Sequence, residues 1–364
     1  MALNVDIKKF RMGLEERFDL GKWIEFSRKK MVPVHRFSVF YYTGGVVLFL
    51  LILQILTGFF LLFYYKAAPE TAHDSIAYMM TEVPFGWLIR SIHHWSSNLM
   101  IFFLLVHFFS VLLLKAYRKP RELTWLTGIV LLFGSLTMGY SGYILPWDDR
   151  AFFAVKVGTQ MPESLPLIGE QLKVFLRGGR FVTGATLNRF FALHVGLIPW
   201  LLAGTLGLHL LLVQIQGMSI PLSIEKEALR LNKKIKGEPF FPHYFLHDIS
   251  FWLLLLGVVV SLAVLEPAGI GPMANPLEPA PPGVKPDWFF LSIYQTLKII
   301  PSKILFFSGE TFGIVCIFLF VVSLVFIPFI DRASSRREAS LFFTLLGAVT
   351  TLYFILMTII GYFT

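Results

Sequence analysis

A chain of 364 residues that is 55% hydrophobic and only 15% charged has too little polar surface for a water-soluble globule, and apolar runs of bilayer-spanning length recur along it. The net charge of +9 does not mark a nucleic-acid binder, because the basic residues flank the apolar runs instead of forming one patch. The single cysteine, Cys316, excludes an internal disulfide, and no C-x-x-C-H segment is present to attach a c-type haem.

In chain order, residues 4–31 mix apolar and basic side chains at roughly helical spacing, which predicts an amphipathic helix on the cytoplasmic surface. Seven membrane spans follow: A about 37–65, B 87–114, C 123–145, D 187–213, E 245–265, F 310–330 and G 340–363. The charged N-terminal stretch and the length of the first apolar run do not fit a cleavable signal. Between D and E lies the polar segment 217–243, the clearest boundary in the chain. The fold class is therefore all-α and membrane-integral, with a four-helix bundle A–D, a three-helix module E–G and the N-terminal surface helix. Domain limits fall at 1–36, 37–216, 217–244 and 245–364. With the N-terminus in the cytoplasm, 21 of the 32 Lys and Arg residues face that side and 11 the other, the asymmetry expected of a multi-pass protein of the cell's inner membrane. Much of the net charge then serves topology and attraction to anionic lipid.

Two pairs of histidines stand inside spans B and D. His93 and His107 are fourteen positions apart, and His194 and His209 fifteen. At about 100° per residue these steps return to within roughly 40° and 60° of their start, so each pair shares one helix face. Each pair also spans roughly 21–22 Å, most of an apolar layer about 30 Å thick. Two helices presenting imidazoles at two matched depths can each give one axial ligand to two stacked haems. A lone histidine in an apolar helix is more often a hydrogen-bonded core residue. Four in two matched pairs favour iron ligation, since unpaired polar groups in hydrocarbon cost several kcal/mol each. His94 is thirteen steps from His107, roughly 140° round the helix, and faces away.

Glycines repeat the same step: Gly44 and Gly58 in span A, Gly128 and Gly142 in span C, each pair fourteen apart. With alternating span directions, Gly58 and Gly142 fall at the depth of His93 and His194, and Gly44 and Gly128 at that of His107 and His209. Small residues are common at membrane helix contacts, but the shared spacing reads as haem walls, where a missing Cβ lets a flat ligand approach the backbone. Two loop segments on the non-cytoplasmic (positive) side are richer than connections need: GYILPWDDR (142–150) and KPDWFFLSIYQTLKIIPSK (285–303). Pro–Asp–Trp is also a good helix start, with the aspartate near an N-cap.

These features, taken with MTEVPFGWLIRSIHHW, KPRELTWLTGIVLLFGSLTMGYSGYILPWD, LAVLEPAGIGPMANP and PDWFFLSIYQTLKIIPSK, resemble the cytochrome b subunits of quinol–cytochrome c and quinol–plastocyanin reductases. The nearer branch is the plastid-like one, with the haem subunit and its small partner subunit fused in one chain. The resemblance covers most of residues 32–330 and implies roles residue by residue. His93 with His194 would ligate a b-type haem near the positive side, and His107 with His209 a second near the cytoplasm. Arg90 and Arg189 would face haem propionates. Pro146, Trp147, Asp148, Asp287 and Phe289 would frame a quinol-oxidation site. The family usually carries Glu and Tyr where this chain has Asp287 and Phe289. Plastid-type proteins attach an extra haem through a cysteine before the first glycines of span A; here that stretch reads VFYYTGG, so no covalent haem is expected. The basic pair after the last haem histidine reads Gln214 and Ile215.

The implied activity is quinol oxidation on the positive side. One electron goes to a Rieske iron–sulfur partner and on to a c-type cytochrome or equivalent acceptor. The other crosses the membrane to a cytoplasmic-side quinone, with proton translocation, in a homodimeric assembly. The alternative is a non-bifurcating di-haem anchor of a dehydrogenase or multihaem cytochrome complex, which leaves the PWD and PDWF segments without a role. A solute transporter would need broken or polar helices at the midplane, where this chain places chiefly histidines.

Overall fold

The computed structural model describes residues 21, 25, 29–281, 283–336, 338 and 340–364. The surface helix expected over 4–31 lies almost wholly outside the described residues. Among the described residues, seven helices are long and apolar enough to cross a membrane: Ser38–Leu62, Gly86–Leu113, Glu122–Ile144, Gly184–Gln216, Phe240–Leu265, Gly309–Ser335 and Leu341–Phe363. They match spans A to G. In hydrocarbon, backbone amides and carbonyls can be satisfied only within helices or closed barrels, and these segments take the helical solution. Large side chains such as Phe59, Phe63 and Trp200 stay exposed on their outer faces, as lipid permits.

We number the helices α1 (Tyr42–Leu62), α2 (Ala72–Thr81), α3 (Gly86–Leu113), α4 (Glu122–Ile144), α5 (Asp149–Gly158), α6 (Gly169–Arg177), α7 (Gly184–Phe191), α8 (Ile198–Gln216), α9 (Leu222–Arg230), α10 (Phe245–Leu265), α11 (Leu291–Ile299), α12 (Gly309–Ile330) and α13 (Leu341–Phe363). Between α7 and α8 the chain makes one wide π turn, Ala192–Leu197, which contains His194. Pro199 follows at once. It has no N–H to donate, and a widened turn keeps its ring clear of the preceding carbonyls.

α1 packs along α3, and α8 along α4, giving the two halves of the A–D bundle. The last three spans pack against this bundle: α10 on α1 and α3, α12 on α4, α13 on α3 and α11. Leu50, Ile101, Ile144 and Val259 are fully buried where these faces meet. At the C-terminal end of α12, Asp331 closes the helix against the B–C loop. It accepts from Tyr117 Oη at 2.8 Å and from Ser334 N–H at 3.1 Å. The only strands among the described residues are two short antiparallel pairs: β1 (Met31–Pro33) with β2 (Gly237–Pro239), and β3 (Lys303–Ile304) with β4 (Phe307–Ser308).

Candidate haem and quinol site

The four bundle helices bring the four histidines together in two layers. His93 and His194 face each other with ring centroids 6.5 Å apart and planes at 75°. Two metal–imidazole bonds of about 2 Å each, plus the ring radii, need roughly this separation. His107, beside Gly44, and His209, beside Gly128, form the second layer on the same two spans. His94 is exposed on the other face, edge-on to Trp95 at 5.5 Å. The fifteen-residue step in span D matches the fourteen-residue step in span B because the π turn at Ala192–Leu197 takes up the additional residue.

Each imidazole is held from behind by a hydroxyl on the facing helix. Thr57 Oγ1 donates to the Leu53 carbonyl at 2.6 Å, so it accepts from His93 Nδ1–H at 2.8 Å. Thr43 donates to the Phe40 carbonyl at 2.6 Å and meets His107 Nδ1 at 3.0 Å. Thr127 donates to the Leu123 carbonyl at 3.0 Å and meets His209 Nδ1 at 2.9 Å. Ser141 donates to the Met138 carbonyl at 3.2 Å and meets His194 Nδ1 at 3.0 Å. With Nδ1 carrying the proton, Nε2 is left as the lone-pair donor, the arrangement that metal-binding histidines require. Sequence reasoning missed these four residues. Their signal was present: each immediately precedes one of the four glycines.

The glycines make room for the imidazoles. A Cβ on Gly44 would lie 3.4 Å from His107 Cε1, on Gly58 3.3 Å from His93 Cε1, on Gly128 3.4 Å from His209 Cε1, and on Gly142 2.7 Å from His194 Cε1. The space freed by the missing Cβ is taken by the edge of an imidazole, which can then reach the neighbouring hydroxyl. The depth pairing of glycine with histidine is as the spacing requires. Two facing imidazoles with oriented Nε2 atoms, backed by glycine and hydroxyl at two levels, fit bis-histidine haem.

The residues expected at the quinol site have different structural surroundings. Asp148 is engaged by backbone N–H groups on both oxygens. It N-caps α5, its Oδ1 accepting from Ala151 N–H at 2.9 Å, and its Oδ2 accepts from Gly271 N–H at 3.1 Å. Both oxygens are engaged, Oδ1 in capping α5 and Oδ2 in tying the 266–275 loop to the end of α4. Trp147 (4% exposed) and Phe289 (5% exposed) are core residues too. Trp147 packs edge-on against Phe152 at 5.8 Å. The Phe289 ring lies 3.0 Å from where a Gly139 Cβ would be, against α4; a phenylalanine suits that dry position, having no hydroxyl to satisfy. Pro146 is half-buried. Arg90 donates to the Ala268 and Gly269 carbonyls, and Arg189 to the Phe175 carbonyl while lying over the Phe175 ring. The same loop is also held by Ser91 (from Ala268 N–H, 3.0 Å), Trp95 (to the Glu266 carbonyl, 2.8 Å) and His73 (to the Gly271 carbonyl, 2.9 Å).

Asp287 stands apart. It opens the short turn Trp288–Phe290 at the N-cap position, but its side chain makes no cap hydrogen bond. Desolvation pushes its carboxyl up to about 6. Tyr143, on the last turn of α4, is within electrostatic reach of both Asp287 and Asp148. The result is a half-buried carboxylate with no side-chain hydrogen bond among the described residues, near the last turn of α4.

Residues 28–217 match the family model described as Cytochrome b/b6/petB, and residues 273–364 match Cytochrome b(C-terminal)/b6/petD. The chain belongs to the cytochrome b/b6 family. It is 44% identical over 346 residues to a cytochrome bc complex cytochrome b subunit of Chlorobaculum thiosulfatiphilum, covering 94% of this chain and 78% of the relative. It is 45% identical over 208 residues to the cytochrome b6 of Acaryochloris marina, which covers 57% of this chain and 96% of the relative. A structure described as hyperthermophilic respiratory Complex III superposes with a TM-score of 0.83 at 28% identity, covering 96% of this chain and 90% of that one. The front of the chain thus corresponds to a separate cytochrome b6, and the remainder carries the petD-type module in the same polypeptide. Like its family, this multi-pass membrane protein is a b-type haem protein and the catalytic core of a quinol oxidoreductase.

Proposed function

We propose that the chain is the cytochrome b subunit of a bc-type complex, oxidising quinol on the positive side of the inner membrane and dividing its two electrons. The observation that carries this reading is the double layer of oriented histidines beside one unpartnered carboxylate, Asp287. His93 with His194, and His107 with His209, hold two non-covalent b-type haems. Bound there, the haems supply one-electron carriers linking the two membrane faces. The facing hydroxyls fix each imidazole's tautomer and raise its basicity. Arg90 and Arg189, one turn before His93 and His194, would offset propionate charge.

Quinol binds beside Asp287 and Pro146, under the loop clamped by Asp148, Arg90 and His73. Asp287 takes a quinol proton. Its raised pKa makes it a better base at near-neutral pH than an ordinary carboxylate. The first electron leaves to a Rieske iron–sulfur partner and thence to a c-type cytochrome or similar acceptor. The second crosses the membrane to a quinone on the cytoplasmic side, with net proton translocation. The complex is a homodimer with the N-terminus in the cytoplasm. The lack of a cysteine in VFYYTGG leaves no attachment point for a covalent haem.

Oxidant-induced reduction tests the division of electrons. In membranes supplied with quinol and blocked at the cytoplasmic quinone site, adding a high-potential oxidant drives additional reduction of the b haems if each quinol splits its electrons. A non-bifurcating anchor shows only oxidation on the same addition, and that result would sink the proposal.

A further inference from the structure

The turn that carries Asp287 is held to the four-helix bundle at two points. Asp287 opens the short segment Trp288–Phe290, which Phe290 N–H closes by donating to the Asp287 carbonyl at 2.9 Å. Phe289 belongs to the buried cluster formed with Ile101, Leu104 and Leu105 of α3 and Leu132 of α4. Apolar burial is non-directional, so this contact sets the depth of the turn and leaves its orientation open. The orientation comes from Trp288. Its Nε1–H donates to Asn98 Oδ1 on α3 at 2.9 Å, across 190 positions of chain. Among the described residues this is the one side-chain hydrogen bond made by residues 287–290.

Asn98 is itself fixed. Its Nδ2 donates to the His94 carbonyl, one turn back, at 3.0 Å. An amide whose nitrogen is committed to a carbonyl presents its oxygen elsewhere, so the backbone of α3 sets where the indole finds its acceptor. Helical spacing puts Asn98 on one stripe with Ile101 and Leu105, three and seven positions on and within about 60° of it. Ile101 and Leu105 are both buried, and Asn98 is the polar member of the stripe that meets the turn. His93 comes five positions before Asn98, about 140° round the helix and roughly 7.5 Å along it. One rigid helix thus bears an imidazole of the His93–His194 layer on one face and the anchor of the Asp287 turn on another.

We propose that Asn98 is a positioning residue for quinol oxidation: by accepting from Trp288 it holds the neighbouring Asp287 at a fixed place relative to α3 and His93. The proposal rests on the reading of Asp287 as the quinol-side base. A leucine at position 98 fills a similar volume and offers no acceptor. The indole N–H then lacks a partner in a half-buried, apolar contact, which buried Trp side chains avoid. Trp288 turns to find one, and Asp287, one residue away, moves with it. A displacement of about 1 Å at a reacting group can cost up to about 10²-fold in rate.

Steady-state quinol oxidation per haem, in membranes holding the assembled complex, tests this with kcat and KM read separately. Asn98→Leu should lower kcat by about tenfold. KM should stay within about twofold, as for a loss felt after binding, with haem content full and both haem midpoint potentials unchanged. Trp288→Phe, which removes the N–H and keeps a ring, should have the same effect. The double variant Asn98→Leu/Trp288→Phe should be no slower than the slower single variant, because both changes delete one interaction. Ser97→Ala is the control: its hydroxyl also donates to the His94 carbonyl, at 2.9 Å, and its loss should leave kcat within about twofold. Losses that multiply in the double variant, or that come with haem loss or a shifted potential, would make Asn98 a general structural residue and overturn the proposal. Normal kcat in Asn98→Leu overturns it as well. If Asp287→Asn is slow in the same assay, the reading of Asp287 stands without Asn98; if Asp287→Asn is also normal, that reading falls with it.

Discussion

Asp148 and Asp287 look alike in sequence and differ in the fold. Both oxygens of Asp148 accept backbone N–H groups, whereas Asp287 accepts none as a cap and is desolvated. A carboxylate accepts a proton only when ionised, so with the Asp287 carboxyl at about 6 quinol oxidation should rise as pH climbs through that value and fall below it. Asp287→Asn should remove this limb of the pH profile and slow turnover by roughly 10²-fold or more, the scale of a lost general base. Haem content should stay full, and Asp287→Glu should retain activity. Steady-state quinol oxidation across pH, with haem quantified on each sample, checks this; near-normal turnover in Asp287→Asn would take Asp287 out of the mechanism. What separates the two aspartates was not legible locally. Asp148 acquires its second partner, Gly271, from 123 positions away, and no spacing rule encodes that return.

At the scale of elements, the spans and the histidine layers follow from hydrophobic length and helical period, which is why spans A to G align with seven observed helices. The period alone leaves a discrepancy between steps of fourteen and fifteen. The π turn around His194 removes it, and a π turn has no reliable sequence mark beyond the nearby Pro199. The short helices α2, α5, α6, α9 and α11 lie in connections too short and too polar for span arguments to reach. The glycines also rank themselves. A Cβ at Gly142 would stand 2.7 Å from His194 Cε1, but one at Gly128 3.4 Å from His209 Cε1. Gly142→Ala should therefore displace His194, costing about 1–3 kcal/mol as overpacking does and lowering occupancy of the positive-side haem. Gly128→Ala should be close to neutral. Thermal release of haem, followed optically in both variants, measures the ranking; equal behaviour would mean the imidazoles yield at both levels.

For the whole molecule, the excess of basic residues on one side predicts the orientation. In a Cys316→Ser background, a cysteine at Lys234 should react with an impermeant maleimide only from the cytoplasmic side, and one at Leu167, which is 95% exposed, only from the other; reversed labelling would invert the topology. Both histidine layers lie within one four-helix bundle, with the petD-type module packed around it in the same chain. The haem count per chain, by acid-acetone extraction and reduced-minus-oxidised spectra of the purified protein, tests this arrangement most directly. Two non-covalent b haems are predicted in the wild type and in His94→Ala, with the positive-side haem lost in His93→Ala and the cytoplasmic-side haem lost in His107→Ala. A wild-type chain with a single haem, or loss on His94→Ala with retention in His93→Ala, would contradict it.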